Sequence, residues 1–286
     1  MASLGKRLPR NVEGEFFVDS TCINCDTCRQ LAPDVFEDDG DYSFVQAQPD
    51  NEKTRREATR ALLACPTGSI GTTGENLSQQ VISDFPFLIE DGVYYCGFNS
   101  AKSYGGHSYF VQHPDGNWLI DSPRFLPHLT RPIEELGGIR FIFLTHRDDV
   151  AEAASYARKF KAERIIHRDE LSAQPDAERI IDGVEPITFH PDFQIIPTPG
   201  HTRGHMVLRY RNRFLFTGDH LWWSRVRQGL SASADYCWYS FPEQLKSLAK
   251  LKNYSFEWVL PGHGQRVHLP AEQMQHELGQ FLKNRD

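Results

Sequence analysis

Short apolar runs that end on a histidine or an aspartate constrain this chain more than any other feature. The run at 139–144 is β-branched and aromatic, which predicts a buried strand, and His146, Asp148 and Asp149 follow it closely. Three later runs end in a similar way, each with a glycine beside a candidate ligand, at 198–205, 216–220 and 260–264. Because glycine permits sharp turns that aim such side chains at one centre, the four segments together predict a metal site.

A cysteine cluster near the N-terminus predicts a second site of a different kind. Cys22, Cys25 and Cys28 are separated by two-residue gaps, and Cys65 is followed at once by Pro66. A tight loop can place three sulfurs around one face of a cubane while a distant cysteine closes the fourth corner. The spacing therefore favours an iron–sulfur cluster over zinc or four ordinary thiols.

This spacing resembles that of the bacterial ferredoxins, over roughly residues 13–75. The resemblance implies a 4Fe-4S cluster with the ligands Cys22, Cys25, Cys28 and Cys65. In two-cluster ferredoxins the first run ends in Cys-Pro, but here Ala32 stands before Pro33, and 61–64 contains no cysteine. The ligands of a second cluster are missing, so one cluster is expected. Two further cysteines, Cys96 and Cys237, lie outside the pattern and are expected to be small buried hydrophobes.

The pattern of strands and helices predicts two domains. A ferredoxin-like domain at 11–75 is followed by a polar linker at 76–80 and a large domain at 81–286. Helices are predicted at 52–64, 150–160, 242–251 and 270–283. Strands are predicted at 15–18, 42–46, 87–89, 93–96, 109–112, 118–120, 139–144, 164–166, 194–196, 214–216 and 258–260. Their alternation in the large domain indicates sheets covered by helices.

The large domain resembles the metallo-β-lactamase superfamily of hydrolases and oxidoreductases, and the motif-bearing segments follow in that family's order. The resemblance implies an α+β fold, an αββα sandwich, beside a small α+β ferredoxin-like domain. It makes His146 and His201 ligands of a first metal, Asp219 a carboxylate shared by two metals and His263 a ligand of the second. It also implies that Asp121 supports the site without touching metal.

The first ligand loop departs from the family pattern His-x-His-x-Asp-His. Asp148 replaces the second histidine, and Val150-Ala151 replace the Asp-His pair that normally serves the second metal. A single transition metal, zinc or iron, is therefore expected, with Asp148 among its ligands. Asp149 is one residue out of register and is either a replacement ligand or a helix cap.

Three functions follow from these motifs. The first is a metal-dependent hydrolase, with Asp148 and Asp219 as catalytic residues acting on an ester or thioester. The second is a redox enzyme whose cluster passes electrons to iron; the flavodiiron branch of the superfamily likewise has a carboxylate in the place of Asp148. The third is a non-catalytic electron-transfer or sensing protein whose metal site has decayed.

Composition and charge indicate where the protein acts and which partners it binds. The formal net charge of −7 argues against a general nucleic-acid binder. No apolar run is long enough to span a bilayer, and the N-terminus lacks the apolar core of a signal peptide, so a cytoplasmic protein without membrane contact is expected. The expected partners are a small-molecule substrate and an electron-transfer protein.

Residues near the ligand segments receive more ordinary interpretations. His205 and His220 are expected to be structural histidines whose ring nitrogens are satisfied. Trp222 and Trp223, with two arginines that follow them, either line a pocket for an anionic ligand or are simply buried. Arg203 either meets an anionic substrate group or is solvated.

Overall fold

The computed structural model describes residues 2–284 and divides into two compact units. The first unit runs through Asn117 and includes Ser122–Gly138, and the second includes Trp118–Asp121 and continues from Ile139. The first unit thus holds the whole predicted ferredoxin-like segment and continues beyond it. The boundaries at 11–75, 76–80 and 81–286 remain predictions.

The first unit contains small antiparallel sheets and short helices. Its helices are α1 (Thr27–Leu31), α2 (Glu52–Ala64), α3 (Ser78–Val81) and α4 (Pro127–Glu135). Its strands are β1 (Phe16–Val18), β2 (Phe36–Asp38), β3 (Ser43–Val45), β4 (Ile70–Thr72), β5 (Phe87–Glu90), β6 (Val93–Tyr95) and β7 (Tyr109–Val111). β1 pairs with β4, β2 with β3, and β6 with both β5 and β7, all antiparallel. The predicted linker is partly helical, because α3 begins at Ser78.

Local sequence explains the longest helix of this unit. At the start of α2, the Asn51 side chain accepts a hydrogen bond from the Thr54 backbone N–H, and the Thr54 side chain accepts one from the Asn51 backbone N–H, a reciprocal cap that satisfies two donors. Ala58 and Ala61 face inward against Phe16 and other apolar side chains around the cysteines. The N-terminal core therefore closes around the predicted cluster site.

The second unit contains two larger sheets. Its strands are β8 (Trp118–Ile120), β9 (Phe141–Phe143), β10 (Glu163–His167), β11 (Arg179–Ile181), β12 (Ile187–His190), β13 (Phe193–Pro197), β14 (Met206–Tyr210), β15 (Phe214–Gly218), β16 (Trp222–Ser224), β17 (Gly229–Ser231), β18 (Trp258–Pro261) and β19 (Val267–His268). Its helices are α5 (Ala153–Phe160), α6 (Phe241–Lys250) and α7 (Ala271–Lys283). Strands β8 to β11 are parallel, and the other sheet has the order β12-β13-β14-β15-β18-β19.

The two sheets of this unit pack face to face between helices. The ring of Trp118, on β8, stacks on that of Phe193, on β13, with centroids 4.3 Å apart. On the outer face of the second sheet, Leu248 of α6 and Leu278 of α7 join one buried cluster with Val259 of β18. Helix α5 packs beside β10. The layers are α, β, β and α, as the sequence resemblance implied.

Short 3₁₀ turns connect several of these elements. They lie at Leu4–Lys6, Ile82–Asp84, Ala101–Ser103, Arg147–Asp149, Arg168–Ala173 and Leu251–Asn253. Among residues 2–284, no helix combines the length and the apolar composition that crossing a bilayer requires.

Candidate functional site

Four loops of the second unit bring the predicted metal ligands together. His146 follows β9, His201 follows β13, Asp219 follows β15 and His263 follows β18. His146, His201 and Asp219 offer ligand atoms that all lie within 4.8 Å of one another. The buried, uninterrupted apolar strands fix where each loop begins, so the side chains converge at the strand ends.

The first donor set has the spacing that one metal ion requires. Asp219 Oδ2 lies 3.6 Å from His146 Nε2 and 3.8 Å from His201 Nε2. Asp148 Oδ2 lies 3.8 Å from each of the same two nitrogens. Ligands bound tetrahedrally at zinc-like distances lie about 3.4 Å from each other. The two imidazoles and two carboxylates therefore fit a transition metal after small adjustments.

Unsatisfied buried nitrogens also fit a metal at this position. Within residues 2–284, His146 Nε2 and His201 Nε2 are buried and have no hydrogen-bond partner. An imidazole nitrogen without a partner is costly in the protein interior unless a ligand takes its lone pair. This donor set suits iron(II) or manganese(II) as well as zinc.

A hydrogen-bond chain from Asp121 prepares His146 for this role. The Thr145 hydroxyl and backbone N–H donate to Asp121, and Thr145 Oγ1 lies 2.9 Å from His146 Nδ1. Since the Thr145 proton points to the carboxylate, His146 donates its Nδ1–H to Thr145 and keeps the Nε2 lone pair free. Asp121 thus has the supporting position that the resemblance implied.

Asp149 lies beside Asp219 and His263 and does not cap a helix. The ligand atoms of these three residues lie within 4.8 Å of one another, and helix α5 begins only at Ala153. Asp149 is buried, and neither carboxylate oxygen has a hydrogen-bond partner within residues 2–284. Of the two roles that the sequence left open for Asp149, the helix cap is therefore excluded. Asp149, Asp219 and His263 form a second candidate donor set.

Backbone geometry separates Asp148 from Asp149. Both belong to the 3₁₀ turn Arg147–Asp149, where successive side chains point about 120° apart. One aspartate therefore faces His146 and His201, and the next faces His263. A glycine gives the second set its room: a Cβ at Gly262 would lie 2.6 Å from Asp149 Oδ2 and 2.7 Å from Asp219 Oδ1.

The carboxylates and histidines shift one another's pKa values in the metal-free protein. Burial alone would lower the pKa of His146 and of His263, but neighbouring carboxylates, chiefly Asp149 and Asp219, raise each to about 10. Burial and the charge of Asp219 raise the pKa of Asp149 to about 7. For Asp219 the charges of His263 and His146 outweigh burial and hold its pKa well below the usual range. Metal would therefore compete with protons here.

Two further histidines form the floor of the site. The His205 ring lies 5.2 Å from that of His146 and stacks on His220 at 4.6 Å. Burial lowers the pKa of His205 well below its ordinary value and that of His220 to about 3, so both rings are neutral. His205 Nδ1 bonds Thr198, but His205 Nε2 and both nitrogens of His220 have no hydrogen-bond partner within residues 2–284. The prediction of satisfied histidines is therefore wrong for His220 and holds for only one nitrogen of His205.

Sequence reasoning missed Glu170, which links two ligand loops. Its carboxylate is fully buried, pairs with Arg147, and accepts a 2.6 Å hydrogen bond from the Gly204 backbone. Arg147 belongs to the loop of His146, and Gly204 belongs to the loop of His201. The signal in the sequence was weak because Glu170 lies in a 3₁₀ segment without a motif.

Aromatic side chains lie on the rim of the site. Trp238 is 65% exposed with its ring 6.2 Å from that of His201, and its backbone N–H donates to the His201 carbonyl. Arg203 is largely solvated and contacts the ring of Tyr239. Trp222 and Trp223 are half-buried against the α6–α7 core, in line with the simpler alternative.

The four predicted cluster ligands line one cavity of the first unit. Val18, Ile23, Pro66 and Ile70 supply much of its apolar wall. Backbone N–H groups of Asn24 and Ser69 donate to Cys22 Sγ and Cys65 Sγ at 3.4 and 3.3 Å, and such bonds to ligand sulfurs influence the reduction potential of a cluster.

Burial raises the pKa of several of the cysteine thiols. Burial raises the pKa of Cys22 and Cys28, and that of Cys25 to about 11, so cluster assembly would release protons. Cys96 is fully buried, as predicted, with a raised pKa. Cys237 is half-buried and donates to the Gly200 carbonyl, so it is not the fully buried hydrophobe that was expected.

Comparison with known proteins agrees with both parts of the chain. A family model described as the 4Fe-4S single cluster domain of Ferredoxin I matches residues 18–72. The match implies a 4Fe-4S cluster in the cavity lined by the four cysteines.

For the larger part, a beta-lactamase-like protein 2 homolog from Drosophila melanogaster is 24% identical over 203 residues, covering 64% of this chain and 66% of that protein. An atrochrysone carboxyl ACP thioesterase from Aspergillus fumigatus is 26% identical over 167 residues, covering 57% of this chain and 41% of the thioesterase.

A solved structure agrees with the layered architecture. The metallo-β-lactamase FIM-1 from Pseudomonas aeruginosa, in its mono-zinc form, matches with a TM-score of 0.52 and 18% identity. The match covers 69% of this chain and 94% of the lactamase chain. The chain therefore has the metallo-β-lactamase fold and carries a single-cluster ferredoxin-type domain, as the sequence resemblances predicted.

Proposed function

We propose that this protein is a metal-dependent hydrolase that cleaves a carboxylic ester or a thioester. The observation that carries the proposal is the convergence of two unsatisfied buried imidazole nitrogens, of His146 and His201, on the carboxylates of Asp148 and Asp219. A decayed site would have no reason to keep such atoms together without partners. The similarity to a thioesterase supports including thioesters among the substrates.

We propose that the centre holds two metal ions, one in each donor set. The first would be held by His146, Asp148, His201 and Asp219. The second would be held by Asp149, Asp219 and His263. The single metal expected from the sequence rested on the loss of two ligands after Asp148, and the buried position of Asp149 supports a replacement for one of them.

Each protein group has a distinct task in this proposal. The metal supplies Lewis acidity, which acidifies a water molecule and polarises the substrate carbonyl. Asp219 serves both donor sets, and Thr145 holds the ring of His146 in place. Asp148 is 45% exposed, and the neighbouring His201, 3.8 Å away, lowers its pKa, so it is ionised at the mouth of the site.

Metal-dependent hydrolysis by purified protein tests this function. The chain is purified anaerobically, stripped with a chelator and reloaded with zinc or manganese, and hydrolysis of p-nitrophenyl acetate and of an acetyl thioester is followed. His201→Ala should lower kcat/KM at least about 100-fold, because changing even an outer partner of a metal ligand typically costs about 10- to 100-fold. Arg203→Ala is the matched control, since its exposed side chain lies two residues away. Equal rates with and without His201 would refute the assignment.

A second candidate function is a redox reaction at the same site. The ferredoxin-type domain favours it, because an electron carrier in the chain is easier to explain if electrons are used. Iron would then replace zinc, and an electron-transfer protein in the cytoplasm would reduce the cluster. Electron paramagnetic resonance of iron-loaded protein tests it: a signal from non-cluster iron that responds to cluster reduction would favour redox chemistry over hydrolysis.

A further inference from the structure

A loop outside the ferredoxin family match contacts the cluster ligand Cys25. Gly105 lies well beyond residues 18–72, yet a Cβ on it would stand 2.6 Å from Cys25 Cβ and 2.8 Å from Cys25 Sγ. Its φ of +88° is also one that favours glycine. The backbone at Gly105 therefore closes one side of the cysteine cavity.

The same loop carries Asn99, whose amide orientation is fixed by its neighbours. Asn99 Nδ2 lies 2.7 Å from the Gly105 carbonyl, which can only accept, so the nitrogen is the donor at that end. Asn99 Oδ1 lies 2.8 Å from Tyr95 Oη, so the tyrosine hydroxyl donates to it. Asn99 and Tyr95 are both buried, at 0% and 1% exposure.

This orientation determines where the Thr27 hydroxyl points. Asn99 Nδ2 donates to Thr27 Oγ1 at 2.9 Å, which occupies a lone pair of that oxygen and leaves its hydrogen for another acceptor. Cys25 Sγ lies 3.3 Å from Thr27 Oγ1. A cysteine thiolate bound to iron can only accept. The hydrogen bonds thus all run in one direction, from Tyr95 through Asn99 and Thr27 to Cys25.

We propose that Tyr95, Asn99 and Thr27 form a tuning relay that raises the reduction potential of the iron–sulfur cluster. A hydrogen bond to a ligand sulfur stabilises the reduced cluster, which carries one more negative charge, more than the oxidised one. Consecutive bonds in a buried chain polarise and strengthen one another. Asn99 and Tyr95 are positioning residues, because they act on Cys25 only through Thr27.

His107 packs against Tyr95 and Asn99 and shields this end of the relay from solvent. Its ring lies 5.4 Å from that of Tyr95 in an edge-to-face arrangement, and its Nδ1 is 3.1 Å from Asn99 Nδ2. Its other ring nitrogen lies 3.0 Å from Gln30 Nε2, so α1 is joined to the network a second time. With water excluded, the bond from Thr27 to Cys25 keeps a strength that solvent would screen.

The test is the midpoint potential of the cluster in the full chain, from anaerobic titrations followed by electron paramagnetic resonance. Wild type, Asn99→Leu, Thr27→Val and the double variant are compared. Each single variant should shift the oxidised-to-reduced ratio at fixed potential about five- to tenfold toward the oxidised form, tenfold being 59 mV for one electron. The double variant should match Thr27→Val alone, because the two residues act in series.

Controls separate tuning from simple loss of structure. Asn117→Leu is the matched variant, since Asn117 is also a buried asparagine, bonded to the Leu136 and Gly138 carbonyls, and should leave the potential unchanged. Thr27→Ser keeps the hydroxyl and should retain the wild-type potential. If Asn99→Leu does not assemble a cluster, Thr27→Val, Thr27→Ser and Tyr95→Phe still decide the matter. An unshifted potential in Thr27→Val, or additive shifts in the double variant, would overturn the relay.

Discussion

Replacing Asp149 with asparagine should raise the folding stability of the metal-free protein and lower that of the metal-loaded protein. Asp149 is fully buried, its oxygens lack partners within residues 2–284, and burial and the charge of Asp219 raise its pKa from 3.8 to about 7. An acid whose pKa is higher in the folded state destabilises that state once it ionises. The penalty is absent below pH 3.8, grows as pH rises to about 7 and is constant above that.

The size of the effect follows from the shift. A rise of about three units at about 1.4 kcal/mol each amounts to roughly 4 kcal/mol above pH 7. Asparagine keeps the shape without the charge, but its amide must also be buried, so a net gain of about 2 to 4 kcal/mol in unfolding free energy is expected at pH 8. At pH 4 the gain should vanish. This result would mean that Asp149 lowers the stability of the metal-free fold in return for a metal ligand.

Loading with metal should reverse the advantage. A bound metal stabilises the folded state by an amount that grows with the logarithm of the metal concentration divided by its Kd. Asp149→Asn should bind one ion fewer and therefore lose that stabilisation. The assay is urea unfolding of chelated and zinc-loaded protein at pH 4 and pH 8, with zinc counted by mass spectrometry apart from the cluster iron.

The matched control is Asp148→Asn in the neighbouring position. Its carboxylate is half-exposed and its pKa is lowered by the nearby His201, so its removal should bring no gain to the metal-free protein. If metal-free Asp149→Asn were no more stable than wild type at pH 8, the argument from burial would be wrong. An unchanged zinc count would exclude Asp149 as a ligand.

Three further predictions concern the site and its support. Zinc affinity, measured by competition with a chromophoric chelator, should rise between tenfold and a hundredfold per pH unit from pH 7 to 9, because His146 and His263, with pKa values raised to about 10, must each lose a proton. Trp238→Ala should raise the KM of hydrolysis more than it lowers kcat, because this exposed ring lies beside His201 without reaching the donor atoms. In the first unit, burial would raise the pKa of Asp84, but its bonds to Arg56 and Arg60 hold that pKa below the usual range, so Asp84→Asn should cost about 1 kcal/mol at pH 7 in chemical unfolding. That cost should shrink as pH falls below 3.8 and through the lowered folded-state pKa, because the carboxylate is then protonated in both states.

The sequence predicted the strands and the loops that follow them better than the contacts within those loops. Buried runs such as Trp118–Ile120 and Phe214–Gly218 are apolar on both faces, and a glycine marks three of the ligand turns, so the positions of His201, Asp219 and His263 followed from local rules. Helix α2 was predicted at its observed bounds because both its cap and its periodicity are local signals.

Long-range contacts account for what the sequence missed. Asp149 could be assigned only after the 3₁₀ turn had shown which way each aspartate points, and nothing in a linear pattern specifies that turn. Glu170 joins the loops of His146 and His201 from a segment with no motif. The role of Asn99 required knowing that a loop beyond the ferredoxin-like segment returns to Cys25.

The cost of the metal-free site is itself an argument for what it binds. His146 and His201 each keep a buried nitrogen without a partner within residues 2–284, and Asp149 adds two such oxygens. Each uncompensated group costs about 1 to 3 kcal/mol, which together is a large part of the stability of an ordinary domain. Apolar side chains of similar size would remove that cost and leave the fold intact. A metal cation satisfies imidazole lone pairs and carboxylate oxygens together, so the unsatisfied atoms favour a functioning metal centre over a decayed one.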